Sequence, residues 1–185
     1  MDRLLLINAL TVAIIFLEGF WAFTDPRSKT ERAKYYFSLR GLIISAFAFL
    51  FVVLNYASAI YFPLPDSAMD NFLMYSGLLI FILGITISFW AKVTMGKIWG
   101  VPAHMRKDQN KLIKHGPFQY TRNPIYVGLV MVLIGYGLAL QSWFIILALI
   151  PIFYFNYAAQ KEEKLLEKHF GNEYLKYKKE VPRFF

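Results

Sequence analysis

Five predominantly apolar blocks, each close to the length that crosses a bilayer, constrain this 185-residue chain more than any other feature. A helix needs about 20 consecutive apolar residues to span the hydrocarbon core. The blocks fall at residues 4–23, 42–62, 72–93, 125–140 and 142–158. The first is interrupted only by Asn8 and Glu18. Bulky Phe20, Trp21 and Phe23 stand where a secretory leader would carry small residues, so this block reads as a span. Glu18, at membrane depth, is placed near the end of that span, where its carboxylate can snorkel. The last two blocks are short and parted only by the turn at Gln141 and Ser142. They predict a helical hairpin that crosses obliquely or is partly covered by protein.

The connections alternate in charge. The first holds Arg27, Lys29, Arg32, Lys34 and Arg40; the second holds Asp66 and Asp70 and no base. The third holds Lys97, Arg106, Lys107, Lys111, Lys114 and Arg122, the fourth is uncharged, and the tail from Lys161 is rich in lysine. Basic loops stay in the cytoplasm, which predicts an outside N-terminus and a cytoplasmic C-terminus. Net charge is +8, and in a chain that is 57% hydrophobic this is the signature of cytoplasmic loops rather than of nucleic-acid binding. The absence of cysteine excludes disulfides, thiolate metal sites and cysteine nucleophiles. The expectation is an all-α, multi-pass integral membrane bundle, one domain over residues 1–185. It carries a cytoplasmic loop at 96–124 and a cytoplasmic tail at 160–185. It is compatible with a prokaryotic inner membrane, and oligomeric state is left open.

Two segments are too polar for the bilayer. Residues 96–124 are punctuated by Gly96, Gly100, Pro102, Gly116 and Pro117. In the tail, Leu166, Phe170, Tyr174, Tyr177 and Val181 recur at three- and four-residue spacing and predict one apolar stripe, with Gly171 breaking the helix. No Rossmann glycine motif, P-loop or HExxH is present, and His104, His115 and His169 lack metal-ligand spacing, so no metal is expected.

Two clusters stand out. His115 to Gly128 is polar and turn-rich and leads straight into a membrane helix, with Pro124 suited to its first turn. That helix start offers free N–H groups and a positive dipole end to a carboxylate. Read plainly, it is a loop anchored at the interface by Arg122 and Tyr126. Glu162 and Glu163 follow the fifth block, where they suit a cationic ligand, pair with bases such as Arg122, or form an ordinary helix face.

At these residues the chain resembles the isoprenylcysteine carboxyl methyltransferase and phospholipid methyltransferase superfamily. The resemblance rests on Arg122-Asn-Pro-Ile-Tyr-Val-Gly128, Glu162-Glu163, Phe170-Gly-Asn-Glu-Tyr-Leu-Lys-Tyr177 and Val181-Pro-Arg183, in order around a helical hairpin. It covers roughly residues 99–185. The chain departs from the isoprenylcysteine members in reading Arg-Asn-Pro for Arg-His-Pro. It also has Ala158 where those members place an arginine for the substrate carboxylate.

The resemblance implies S-adenosylmethionine as cofactor, held in a pocket without a Rossmann fold. On it, Asn110, Lys111, Leu112 and Ile113 line the adenosyl portion, Phe118 packs on the cofactor, and His104 makes a looser polar contact. Asn123, Pro124, Ile125 and Tyr126 take the place of the family's His-Pro-x-Tyr segment, and Glu162 contacts the cofactor. Arg122 is expected to orient Glu162 or the cofactor carboxylate, and Glu163 is the candidate general base for an acceptor that carries a proton. The implied reaction is methyl transfer to a lipophilic acceptor from the bilayer, needing alignment and exclusion of water rather than a triad. An NADPH-dependent membrane reductase and a non-enzymatic scaffold are the competing readings.

Overall fold

The structure is a computed structural model that describes residues 3–61, 68–98 and 111–184. Among them every regular element is helical. The elements are α1 (Arg3–Phe23), α2 (Lys29–Tyr36), α3 (Leu39–Tyr61), α4 (Asp70–Met95), α5 (Pro124–Ala139), α6 (Leu149–Phe170) and α7 (Asn172–Glu180). Short 3₁₀ turns lie at Gly96–Ile98, Gly116–Gln119 and Trp143–Ala148. Four stretches are long and apolar enough to cross a membrane: Leu5–Phe23, Gly41–Tyr61, Asp70–Met95 and Trp143–Phe170. The shorter Pro124–Ala139 joins them, so all five expected blocks are helical, and the chain is an integral membrane protein.

The short helix α5 is the enclosed one. Tyr136 is wholly buried, and Tyr126, Val127, Val132 and Ala139 are buried with it. A helix covered by its neighbours need not match the bilayer thickness, the condition expected of this hairpin. Its chief partner is α4, and the contact is made by small residues. Gly77, Gly84 and Ser88 of α4 face Gly128, Gly135 and Ala139 of α5 so closely that a Cβ on Gly84 would stand 2.7 Å from the Gly128 carbonyl oxygen. Lipid tails are as apolar as leucine, so close backbone packing is the available source of helix association here. Phe51, Phe81 and Tyr136 form the centre of the core, and the Tyr136 hydroxyl meets Thr11 Oγ1 at 3.1 Å.

Two boundaries differ from expectation. The first connection is not a plain loop: α2 forms there behind a capping box, with Ser28 Oγ accepting from the Glu31 amide at 3.2 Å and Glu31 Oε2 accepting from the Ser28 amide at 2.9 Å. The fifth block does not end at residue 158. Helix α6 runs on through the acidic pair to Phe170 and stops at Gly171, whose φ of +50° only glycine adopts freely. The tail stripe is present as expected: Tyr174, Tyr177 and Val181 bury one face, packed with Leu166, Phe170 and Leu112 of the preceding loop.

Candidate functional site

The loop before α5 is held from both sides. At one side Gly116, at φ +62°, lies so close to α4 that a Cβ there would meet Thr94 Oγ1 at 2.8 Å. At the other side Tyr177 of α7 donates its hydroxyl to the Phe118 carbonyl at 2.6 Å. Burial pushes the Tyr177 phenol up to about 12, so it remains a neutral donor at ordinary pH. Lys114 and Glu173 add an exposed ion pair at 2.7 Å, of the kind that contributes little.

The tail then folds back along residues 121–123. The Arg122 amide donates to the Pro182 carbonyl at 2.9 Å. Thr121 Oγ1 and Asn123 Nδ2 both donate to the Arg183 carbonyl, at 2.9 and 3.1 Å. Arg122 Nη1 reaches the Lys178 and Val181 carbonyls at 2.8 Å each, satisfying acceptors that the end of α7 leaves open. Arg122 Nη2 and Arg183 Nε converge on Glu163 Oε1 at 2.9 and 2.8 Å, and Arg183 Nη2 reaches Glu163 Oε2 at 3.0 Å. Glu163 is only 4% exposed, and its charge is compensated twice over. Burial of a carboxylate is tolerable only with such partners.

Beside this cluster lies a second one. Tyr126, in the first turn of α5, donates its hydroxyl to Glu162 Oε2 at 3.1 Å and stacks on Phe155 with centroids 4.9 Å apart. Ala158 and Ala159 are fully buried against Tyr126, and Phe184 of the tail packs on the same group. Phe155, Ala158, Ala159 and Glu162 thus form one face of α6, apolar over two turns and acidic at its end. Asn123, at the N-cap of α5, makes no side-chain cap hydrogen bond; its Nδ2 donates to the Arg183 carbonyl of the tail.

The sequence-predicted residues fall into this frame unequally. Arg122, Asn123 and Glu163 meet through the tail, and Pro124 and Tyr126 are buried at the start of α5 with half-buried Ile125 between them. Leu112 lies in the tyrosine stripe and Phe118 is fixed through its carbonyl. Ile113 is half-buried and Lys111 exposed, while His104 and Asn110 lie outside the described residues. Arg122 is not the partner of Glu162: its guanidinium takes Glu163, and Glu162 takes Tyr126. Glu163, expected as a base, has each of its two oxygens occupied by a guanidinium, which opposes proton uptake. Sequence reasoning did not single out Thr121, Phe155 or Tyr177 as site residues. The helical spacing of Phe155, Ala158 and Glu162 was the available signal for that face. No group of three or more metal-ligating side chains occurs among the described residues.

Residues 72–173 match the family described as phospholipid methyltransferase. The chain is 28% identical over 151 residues to the protein-S-isoprenylcysteine O-methyltransferase B of Arabidopsis thaliana, covering 78% of this chain and 76% of that one. It is 31% identical over 120 residues to a probable protein-S-isoprenylcysteine O-methyltransferase of Oryza sativa subsp. indica, covering 63% of each. A Rattus norvegicus protein-S-isoprenylcysteine O-methyltransferase is 31% identical over 121 residues, covering 64% of this chain and 43% of that one. In fold, the chain resembles a solved structure of the eukaryotic intramembrane Ras methyltransferase ICMT, with a TM-score of 0.64 and 21% identity over 96% of this chain and 61% of that one. The family match spans more than half of the sequence and includes both the α5 start and the Glu162–Glu163 pair; the chain belongs to the phospholipid methyltransferase family of membrane enzymes.

Proposed function

We propose that this protein transfers a methyl group from S-adenosylmethionine to a lipophilic acceptor that enters from the bilayer. The observation that carries the reading is the Tyr126–Glu162 contact, which joins the start of α5 to the acidic end of the α6 face. The residues present fit the cofactor. Glu162 offers a carboxylate to its cationic groups, Tyr126 and Phe155 offer an aromatic surface, and the first turn of α5 offers amide N–H groups that Asn123 does not cap. Leu112, Ile113 and Phe118 belong to the same loop and, with Lys111, are the described residues of the proposed lining.

When bound, S-adenosylmethionine supplies an already activated methyl group. The protein's part is alignment and dryness. Tyr126 fixes the Glu162 carboxylate, and the stack on Phe155 fixes Tyr126. Arg122 and Glu163 are positioning residues: they clamp the tail onto residues 121–123 and so set the start of α5. Ala158, Ala159 and Phe184 exclude water from the face below Glu162. The relatives named for isoprenylcysteine and the family named for phospholipids both act on amphiphiles, consistent with a bilayer-borne acceptor. We further propose that the domain is single over residues 1–185 and that the site faces the cytoplasm.

The test is calorimetric binding of S-adenosylhomocysteine to the detergent-purified protein, beside Glu162→Ala. Saturable binding that the substitution weakens supports the reading. A folded protein that ignores S-adenosylhomocysteine and binds NADPH would replace it with a reductase.

A further inference from the structure

We propose that the basic cluster where α1, α2 and α4 meet is a binding site for the phosphate of an anionic lipid. Bases from three places hold the turn that follows α1. Arg27 closes on Asp25, with its Nε 3.0 Å from both carboxylate oxygens. Arg32 of α2 donates Nη1 to the Ala22 carbonyl at 2.8 Å. Lys92 of α4, only 2% exposed, donates to the Thr24 carbonyl at 3.2 Å. Cations here suit the negative dipole end of α1 and the carbonyls that its last turn leaves open.

The hydrogen bonds of this cluster do not close. A guanidinium carries five N–H groups and accepts nothing. Arg27 Nη1 and Arg32 Nε are buried with no hydrogen-bond partner among the described residues. A buried donor left unmade is costly, and a charged one more so. The nearby acceptors are already engaged. Both Asp25 oxygens take Arg27 side-chain donors, and Oδ1 takes the Arg27 amide as well. The charge is also out of balance, since Arg32 forms no ion pair among the described residues. Water satisfies orphan donors but leaves the charge. A phosphate oxyanion from outside the chain answers both, and guanidiniums are the side chains best shaped to receive it.

The position makes that phosphate a lipid's. The span Leu5–Phe23 ends two residues before Asp25, and Lys92 lies three residues before the end of the span Asp70–Met95. The cluster therefore stands where helices leave the apolar layer, the depth of lipid head groups. Phe23, Phe37 and Leu39, which flank it in sequence, are exposed apolar side chains suited to acyl chains. Arg27 lies over the Tyr35 ring at 5.0 Å, an aromatic of the kind found at that depth. Basic pockets between membrane helices hold acidic head groups in this way. A zwitterionic lipid also has a phosphate, but it brings its own cation to a place that already carries one in excess. Helix α4 at Thr94 also seats Gly116 of the loop before α5, so a lipid held here braces α1 and α2 against the helix that supports the candidate site. The inference does not depend on the methyl-transfer reading.

The experiment titrates the detergent-purified full chain with dioctanoyl phosphatidylglycerol and, separately, with dioctanoyl phosphatidylcholine. Dissociation constants are measured by calorimetry, and melting temperatures are recorded on the same samples. Phosphatidylglycerol should bind about tenfold tighter, the scale of one charge-assisted contact, and should raise the melting temperature. Arg32→Gln should lower phosphatidylglycerol to the phosphatidylcholine level and leave the latter unchanged. Arg32→Lys keeps the charge without the fork and should retain part of the preference. Lys164→Gln with Lys168→Gln, on the exposed side of α6, controls for diffuse attraction and should keep the preference. Equal binding of the two lipids to wild type overturns the proposal. So does a preference that survives in folded Arg32→Gln, or one that the α6 pair abolishes as fully. If Arg32→Gln does not fold, the lipid comparison in wild type and in Arg32→Lys decides. Arg32-dependent binding of inorganic phosphate with no preference between the lipids would assign the orphan donors to a free anion and overturn the lipid assignment.

Discussion

Tyr126 donates its hydroxyl to Glu162 at 3.1 Å, which ties the first turn of α5 to the point where α6 changes from apolar to charged. The contact tells the two acidic neighbours apart. Glu162 is half-buried and faces the aromatic stack, whereas Glu163 is buried and faces two arginines. Adjacent residues on a helix point about 100° apart, so one acidic pair serves two environments.

Glu162→Gln should therefore weaken S-adenosylmethionine more than S-adenosylhomocysteine, because only the former carries the sulfonium charge. A loss on the order of tenfold for the charged ligand matches one charge-assisted contact. Tyr126→Phe should weaken both by a few-fold, about 1 kcal/mol for a lost hydrogen bond. Calorimetry with the two ligands on each variant checks the difference. Equal losses for both ligands in Glu162→Gln would remove the charge argument.

Glu163 is expected to fail in a different way. Glu163→Ala leaves two guanidiniums without their carboxylate and should destabilise the protein by about 3 kcal/mol or more. Glu163→Gln should cost less. Whatever methyl transfer Glu163→Gln retains should show the wild-type pH profile, since a carboxylate between two arginines does not serve as the base. Melting in detergent and a pH–rate profile check the two halves. Loss of one limb of the profile would return Glu163 to the role of base.

Much of the fold is legible in the sequence because hydropathy is summed over many residues and survives local errors. Trp21 and Trp143 sit close to block ends, and helical elements end or begin near them. The tail stripe of Leu166, Phe170, Tyr174, Tyr177 and Val181 is legible for the same reason: a helical period repeats the signal. Helix α2 depends on one local pattern, Ser28 to Glu31, inside a segment that otherwise reads as a charged loop. Partner choice is less legible still. The motif shows that Arg122 and an acid belong together, but not which of Glu162 and Glu163 it takes. That depends on the fold-back of Pro182 and Arg183, a contact between residues about sixty positions apart.

The α4–α5 seam yields a prediction about stability. At Gly84 a methyl group would meet the Gly128 carbonyl and the Val132 amide nitrogen, each at 2.7 Å, and neither is the end of a flexible side chain. Gly84→Ala should destabilise by about 1–3 kcal/mol, the usual cost of overpacking. At Gly19 on α1 a methyl group would find open space, with nothing within 4 Å, so Gly19→Ala should be neutral or stabilising by up to about 1 kcal/mol. Melting temperatures of the two variants in the same detergent should move in opposite directions or differ clearly in size. Similar behaviour would mean that the seam is looser than its geometry implies.

The last prediction concerns alkali. Burial raises the Tyr177 phenol from its ordinary value of 10.0 to about 12, outweighing the opposing pull of Arg122. A group whose acidity is weakened by folding favours the native state while it stays protonated. The stabilisation is fully present below about pH 10 and is lost as pH rises toward 12. Over that window the hydroxyl that holds the Phe118 carbonyl ceases to donate, and α7 should release the loop before α5. Tyr177→Phe removes the hydrogen bond at every pH, so it should be less stable at pH 8 by about 1 kcal/mol. It should also lose less additional stability than wild type on going to high pH. Melting curves of both proteins across that range make the comparison. Parallel slopes would show that Tyr177 does not govern the alkaline response, and the clamp on Phe118 would then have to be held chiefly by the packing of Tyr174, Val181 and Leu112.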